Sequence, residues 1–317
     1  MVELNFFLSD MTIDIKISSI AVIIPTYNRV NTIVACIESV LSQSYPVNEI
    51  IVIDDHSTDD TVKQLNKIKN DITILQTEKQ YGAQTARNIG IKAAKSKWIS
   101  FLDSDDLWLS NKIEKQILAL KTVEYNPMTV VHGDCYRRNN NSDKKDHWQL
   151  DNIDGENVYK KLLSKSGTLF PSILTSKQAL DRIDYLDENI PSYHEWDTAI
   201  RLAKYCRFIH IQEPLFIYNI HNNTISRNSN ASIEGYQYVI NKFKDEIKEL
   251  CGDTVFTNHL TINSVLAFNN NKNKLGREIL KQIPNNFYKK FILQLFSYLR
   301  IKPIYFNKMI HFILGKR

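Results

Sequence analysis

Three carboxylates, Asp103, Asp105 and Asp106, stand within four residues in the run FLDSDDLW, Phe101 to Trp108. Like charges so close repel, and the run calls for either a bound cation or solvation in an ordinary turn. A hard divalent ion suits the first reading, because it accepts one or two protein carboxylates and fills its other positions with phosphate or water oxygens. Two further acid pairs stand apart from this one: Asp54 and Asp55 in EIIVIDDHSTDDT, and Glu195 and Asp197 in YHEWDTAIRLAKY. Trp196, Ala199, Ile200 and Ala203 give the latter stretch helical spacing. Its two acids therefore fall in a first helical turn, where the helix dipole favours an anion and a general base could be held. Each feature also has a plain structural reading. Asp54 and Asp55 could cap a helix, Glu195 and Asp197 could support a helix start, Tyr27 could pack in a core, and Arg87 could sit on a helix surface.

The elements that must position these residues follow from periodicity. IAVIIP, residues 20–25, is a continuous β-branched run of the kind found in a strand covered on both faces. A helix is expected from about Val30 to Ser42, then EIIVIDD as a second buried strand. A helix from about Asp59 to Lys69, capped in the Ser57/Thr58 region, leads to DITILQ as a third strand. GAQTARNIGIKAAK reads as a helix entered through Gly82, and KWISFLD as a fourth strand. Strand alternates with helix, which predicts an open α/β sheet whose ligands lie outside the carboxyl ends of the strands. Thr26-Tyr27-Asn28, Asp54-Asp55 and Asp103-Ser104-Asp105 all fall at that edge and point to one site. From about Lys121 the pattern loosens, RRNNNSDKKDH (137–147) reads as an exposed loop, and after about Ser226 the chain reads as helical to its end. The expected layout is an extension at 1–17, an α/β domain at 18–225 with halves meeting near residue 120, and a helical region at 226–317.

Bulk properties narrow the function. The chain has 317 residues, 43% of them hydrophobic, and a formal net charge of +5, too modest to suggest nucleic acid. Cys36, Cys135, Cys206 and Cys251 form no C-x-x-C and read as buried thiols in a reducing compartment. The N-terminus carries Glu3, Asp10 and Asp14 and no basic leader, so a cytoplasmic protein is expected. No acid follows Glu278, whereas eight lysines and arginines do, among bulky apolar residues interrupted by Pro303. That segment suits either peripheral contact with the inner face of a membrane or a helical cap on the α/β domain or a second subunit.

No G-x-G-x-x-G or G-x-x-x-x-G-K-[ST] follows the first strand, and Gly82 is the first glycine of the chain. A nucleoside diphosphate at this sheet could not be cradled by glycine-rich backbone and would need a divalent metal to neutralise it. The blocks AVIIPTYNR, EIIVIDDHSTDDT, GAQTARNIGI, WISFLDSDDLW, HEWDTAIRLAKY and PLFIYNIHNNTIS, in this order, resemble the inverting family 2 glycosyltransferases of GT-A fold over roughly residues 20–226. The resemblance implies a Rossmann-like mixed sheet flanked by helices, with a C-terminal helical extension.

It also implies a nucleotide-sugar donor, UDP-linked, with Mn²⁺ or Mg²⁺, and a lipid-diphosphate-linked or oligosaccharide acceptor in bacterial surface polysaccharide (O-antigen) synthesis. Tyr27 resembles the family's base-stacking aromatic, flanked by Pro25, Thr26 and Asn28. Asp55 resembles the acceptor from the pyrimidine N–H, and Arg87 lies near the donor. In the D-x-D block, around Ser104, Asp103 resembles a ribose or metal contact and Asp105 the direct metal ligand, and His221 occupies the place of a metal or phosphate contact. Many members read E-D-W-D where this chain reads H-E-W-D, so the base position falls on Glu195, with Asp197 as the runner-up. His56 departs from the family's small residue after the acid pair, and Trp108 suits either a sugar face or the core. Two other classes stay open: a non-catalytic nucleotide-sugar binding or scaffold protein, and a sugar nucleotidyltransferase, which would release pyrophosphate.

Overall fold

The structure, a computed structural model, describes residues 19–68, 72–139, 144–220, 229–284 and 288–298. The chain divides into two compact units. The first comprises Met1–Leu162, Ser166–Glu188 and Glu195–His221, and the second Leu163–Lys165, Asn189–His194 and Asn222–Arg317.

The first unit is built outward from β1 (Ile20–Thr26), in which all seven residues are buried. Such a strand must be covered on both faces, and the helices of the strand-helix repeat supply the cover. The repeat runs through α1 (Ile33–Leu41), β2 (Glu49–Asp54), α2 (Thr61–Leu65), β3 (Thr73–Gln76), α3 (Ala83–Ala93) and β4 (Trp98–Phe101). These four strands are parallel, with Thr26 beside Asp54 and Ile23 beside Phe101. Their carboxyl ends therefore open on one edge. α3 packs flat on the sheet at Gly90, where an added Cβ would come within 2.6 Å of both Ile23 and Ile53.

The second half of this unit contributes β5 (Leu107–Trp108), α4 (Lys112–Lys121), β6 (Thr129–Asn139), β7 (Lys145–Trp148), α5 (Tyr159–Ser164), β8 (Leu174–Ser176), α6 (Lys177–Arg182), α7 (His194–Leu202) and β9 (Arg207–Ile220). The sheet order is β3-β2-β1-β4-β8-β6-β9-β5, with β7 paired to β6. Since β8 runs antiparallel to both β4 and β6, β6 and β9 again point their carboxyl ends at the site edge. The pairing of β6 with β9 shifts register at Gly133/Asp134. The buried Asp134 pins that irregularity. It accepts from Leu150 N at 2.9 Å and faces His147 Nε2 at 2.9 Å and His210 Nε2 at 3.0 Å, tying β7 and β9 to one side chain.

The second unit is helical where it is described: α8 (Ser229–Lys242), α9 (Asp253–Asn269), α10 (Asn273–Lys281) and α11 (Tyr288–Tyr298), with a short helical stretch and a π turn between α8 and α9. Its interior holds His259 between the Tyr236 hydroxyl at 2.8 Å and the Leu163 carbonyl at 2.9 Å. Among the described residues no helix is long and apolar enough to cross a membrane.

Three sequence expectations are corrected. Of the segment 137–147, the described residues 137–139 and 145–147 are paired strand, Arg137 and Arg138 pairing with Asp146 and Lys145. Alternation there is masked by charge on both faces of an exposed ribbon. The helix expected from Asp59 to Lys69 is only Thr61–Leu65. Ser57 and Thr58 do not cap it; they bind the neighbouring loop, and Asp59 Oδ1 instead takes the Thr61 N–H at 2.9 Å. Finally, Cys36, Cys135 and Cys206 are buried but Cys251 is partly exposed.

Candidate active site

The loop after β1 is strapped to the loop after β2. Asn28 adopts a left-handed φ of 51°, which a short amide side chain tolerates. Its Oδ1 accepts from the Thr58 N–H at 2.8 Å and the Asp59 N–H at 3.3 Å, while its own N–H donates to Ser57 Oγ at 2.9 Å. Pro25 and Thr26 are buried in β1, and Tyr27 is half-buried at its mouth. Across β2, the buried Asp55 accepts from the Tyr81 N–H at 2.9 Å, the Gly82 N–H at 2.7 Å and the Thr77 hydroxyl at 3.1 Å. It thereby closes the entry to α3, where Gly82 takes a φ of 98°. By lone-pair count Oδ2 can accept one more N–H. His56 is exposed.

Two of the three acids in the run are paired with arginines, an arrangement that neither a metal ion nor a solvated turn anticipates. Asp103 pairs with Arg87 Nη2 and Asp105 with Arg29 Nη2 at 3.2 Å. Arg87 is fixed: its Nη1 donates to Gln84 Oε1 at 2.6 Å and its guanidinium stacks 4.5 Å from the Phe170 ring centre. Asp106 is buried and accepts from the Asn219 N–H at 2.8 Å, while its Oδ2 has no hydrogen-bond partner among the described residues. Burial, then the neighbouring Asp103 and Asp105, push its carboxyl well above the ordinary range. Two acids paired with arginines and one that favours its neutral form can therefore share the loop. Asn219 braces it further, its Nδ2 donating to the Asp105 carbonyl at 2.6 Å and its Oδ1 accepting from Arg138 Nε at 2.8 Å. Ser104 is buried in the same turn.

The second acid pair separates into two environments. Asp197 is fully buried and pairs with Arg201 Nε at 2.7 Å, and the same arginine donates to the carbonyls of Ile183 and Tyr185 at 2.6 Å. Trp196, also buried, donates to the Leu162 carbonyl at 2.7 Å. These contacts anchor the first turn of α7. Glu195 lies between them in sequence and remains half-buried. Desolvation raises its carboxyl to about 6, assisted by the negative charge of Asp103 and opposed by hydrogen bonding to its own backbone N–H and by Arg87. The α7 acid and the β4 acid are thus in one another's field. Trp108 belongs to the core, with Lys112 Nζ 3.9 Å from its ring centre. His221 lies outside the described residues.

Among the described residues no group of three or more His, Cys, Asp or Glu is gathered as a metal cage. A cation shared with a diphosphate needs only one or two protein carboxylates. Asp103 and Asp105, hard oxygen donors still partly accessible at the strand mouth, fit that requirement.

A family model described as glycosyl transferase family 2 matches residues 21–186. The chain belongs to that family. Among relatives of this family 2 chain, WfaP of Escherichia coli, a UDP-Glc:alpha-D-GlcNAc-diphosphoundecaprenol beta-1,3-glucosyltransferase, is 49% identical over 105 residues, covering 32% of this chain and 41% of WfaP. WfgD of Escherichia coli, of the same described activity, is 34% identical over 184 residues, covering 57% and 70%. An uncharacterised glycosyltransferase of Rickettsia bellii is 36% identical over 176 residues, 55% of this chain but only 25% of the relative. The chain therefore spans well under half the length of some curated relatives it matches. The structure of Staphylococcus aureus TarS 1–349 in complex with UDP-GlcNAc superposes with a TM-score of 0.67 at 16% identity, covering 94% of this chain and 92% of TarS. At that identity the likeness speaks for the fold, which is GT-A.

Within this family 2 site, sequence reasoning gave no individual role to Arg29, Arg138, Asp106 or Asn219. Arg29 sits inside the quoted block AVIIPTYNR and Asp106 inside FLDSDDLW, so both lay in view. Asn219 and Arg138 also lie inside quoted segments, PLFIYNIHNNTIS and RRNNNSDKKDH, but nothing local ties either to the acidic turn; only the β6–β9 pairing, which joins these two residues 81 apart in sequence, brings them there.

Proposed function

We propose that this chain transfers a sugar, with inversion, from a UDP-linked donor to a lipid-diphosphate-linked glycan during assembly of a bacterial surface polysaccharide. The observation that carries the reading is the pairing of roles at one strand edge. The part-exposed acids Asp103 and Asp105 suit an ion that would meet a diphosphate, and a separate carboxylate, Glu195, is raised to about 6 nearby. Inversion needs a base on the acceptor hydroxyl, opposite the departing nucleoside diphosphate. Glu195 fills it. Asp197, locked to Arg201, positions the helix instead. Tyr27 offers a stacking face for the base, between the backbone supplied by Pro25, Thr26 and Asn28, and Asp55 keeps a lone pair for a pyrimidine N–H. Mn²⁺ or Mg²⁺ held by Asp105 and Asp103 would supply charge neutralisation of the leaving diphosphate. UDP and the diphosphoundecaprenol-linked acceptor are carried over from WfaP and WfgD.

The test is a panel of nucleotide sugars with Mn²⁺ or Mg²⁺ and a synthetic polyprenyl-diphosphate sugar, scored for free nucleoside diphosphate. A UDP-sugar is expected to give UDP and a product of inverted anomeric configuration. Pyrophosphate release would identify a nucleotidyltransferase, and no turnover of any donor would favour a binding or scaffold role.

A lipid-linked acceptor places the enzyme at a membrane surface, and α11 has the face for it. Phe291, Leu295 and Tyr298, one helical stripe, are 70%, 46% and 71% exposed, in a stretch with basic residues and no acid. Vesicles of phosphatidylglycerol and phosphatidylcholine are expected to float the protein, and vesicles of phosphatidylcholine alone or high salt to release it. The double variant Phe291→Ser, Leu295→Ser should lose flotation. Equal flotation by the variant would exclude this face as the contact.

A further inference from the structure

The two arginine–aspartate pairs at the mouth of β4 are built differently. Arg87 is 6% exposed in its side chain, clamped by Gln84 and stacked on Phe170, so it cannot leave Asp103 without orphaning a buried charge. Arg29 is 32% exposed. Its Nη2 reaches Asp105 Oδ2 at 3.2 Å, and among the described residues its Nη1 has two long contacts, to the Tyr27 carbonyl at 3.4 Å and the Asn28 carbonyl at 3.3 Å. Its backbone, by contrast, is firmly held: the N–H donates to Thr61 Oγ1 at 2.8 Å and the carbonyl accepts the first amides of α1. A rigid base therefore carries a weakly tethered guanidinium between the Tyr27 loop and Asp105.

We infer that Arg29 is an exchangeable counter-cation, which holds Asp105 before the donor arrives, yields that carboxylate to the metal ion, and then pairs with the nucleoside diphosphate. The inference rests on the metal-assisted reading above. A guanidinium and a divalent cation that share Asp105 repel each other, and the oxygen that Arg29 engages is one the ion could otherwise use. The diphosphate, arriving with its own negative charge, offers the displaced guanidinium a better fork-shaped partner than one carboxylate oxygen does. Arg29 thus works against metal alone and in favour of metal with diphosphate. It also explains a basic residue two positions after Tyr27, the proposed base-stacking residue: the stretch that receives the base is the stretch whose arginine must be released.

The test measures Mn²⁺ alone by electron paramagnetic resonance and UDP in saturating Mn²⁺ by calorimetry, on the full chain. Arg29→Gln is expected to tighten Mn²⁺ about fivefold, the equivalent of about 1 kcal/mol, and to weaken UDP about tenfold. Opposite signs are the signature, because a loosened loop would weaken both. Arg29→Lys, which keeps the charge but cannot fork to the carbonyls, serves if the glutamine variant misfolds, and should tighten Mn²⁺ about twofold. Mn²⁺ affinity unchanged or weakened in these variants, with binding still abolished by Asp105→Asn, would overturn the exchange and leave the metal site standing. A wild-type protein that binds no Mn²⁺, or binding indifferent to Asp105→Asn, would remove the metal reading and this inference together.

Discussion

Glu195→Gln is expected to lower kcat by about a hundred- to ten-thousandfold, the range spanned by loss of a general base, with KM for the donor nearly unchanged. Glutamine keeps the shape and the polar head of glutamate and lacks only the basic oxygen. In the proposed site the donor is held at the ends of β1, β2 and β4, away from Glu195, so the variant should still bind UDP. Loss of kcat without loss of binding separates a base from a positioning residue. A drop under tenfold would remove Glu195 from that role.

Two further readings bear on the same residue, one in turnover and one in stability. The base must be ionised, so wild-type kcat should rise with pH through about 6 and level off above it. The same elevation acts on stability with a definite sign. The folded state binds the Glu195 proton more tightly than the unfolded state, so between the ordinary 4.5 and about 6 the fold loses stability as pH rises. Above 6 the cost is on the order of 2 kcal/mol. The neutral glutamine escapes it. At pH 8 the inactive variant should therefore melt at a higher temperature than the wild type, and at pH 4 the two should converge. Thermal unfolding followed by circular dichroism at the two pH values checks this.

The strand-helix repeat from Ile20 to Phe101 was legible because buried parallel strands write themselves as β-branched runs and because acids follow two of them, Asp54–Asp55 at β2 and Asp103–Asp106 after β4. What lay beyond legibility has a physical cause in each case. β6 and β9 are long strands half in the core and half on a ribbon, so no single period runs through them. Arg137 to His147 looked like loop because its charges face solvent on both sides. Lys112 looks like a surface residue at a helix start, yet it is wholly buried, donating to Ser100 Oγ at 2.9 Å and Gln116 Oε1 at 2.6 Å, and burial pushes its ammonium well below the ordinary range. Nothing local announces this. It arises because α4 lies over Ser100 and Trp108. The choice between Glu195 and Asp197 was likewise open in the sequence, since both occupy a first helical turn; the distinguishing partner, Arg201, is one turn away and could have been read as an i,i+4 pair.

Asp105→Asn is expected to abolish metal-stimulated turnover, a loss on the order of a thousandfold if the ion contributes several kcal/mol to the leaving diphosphate. Of the two acids proposed for the ion, Asp105 is the informative one. Asp103→Asn would leave Arg87 buried without its counter-charge, and removing one member of a buried pair costs about 3–5 kcal/mol, so lost activity could mean only a lost fold. The Asp105–Arg29 pair is part-exposed, and such pairs contribute at most about 1 kcal/mol, so the asparagine variant should stay folded at near wild-type melting temperature. Asparagine also keeps one carbonyl oxygen able to accept from Arg29 while giving up the negative charge that a hard cation requires. If Asp105 binds the ion, raising Mn²⁺ should fail to restore turnover, whereas UDP measured without metal should bind the variant as well as it binds the wild type. A variant whose turnover still rises with Mn²⁺ would move the ion elsewhere and reduce Asp105 to the anchor of Arg29.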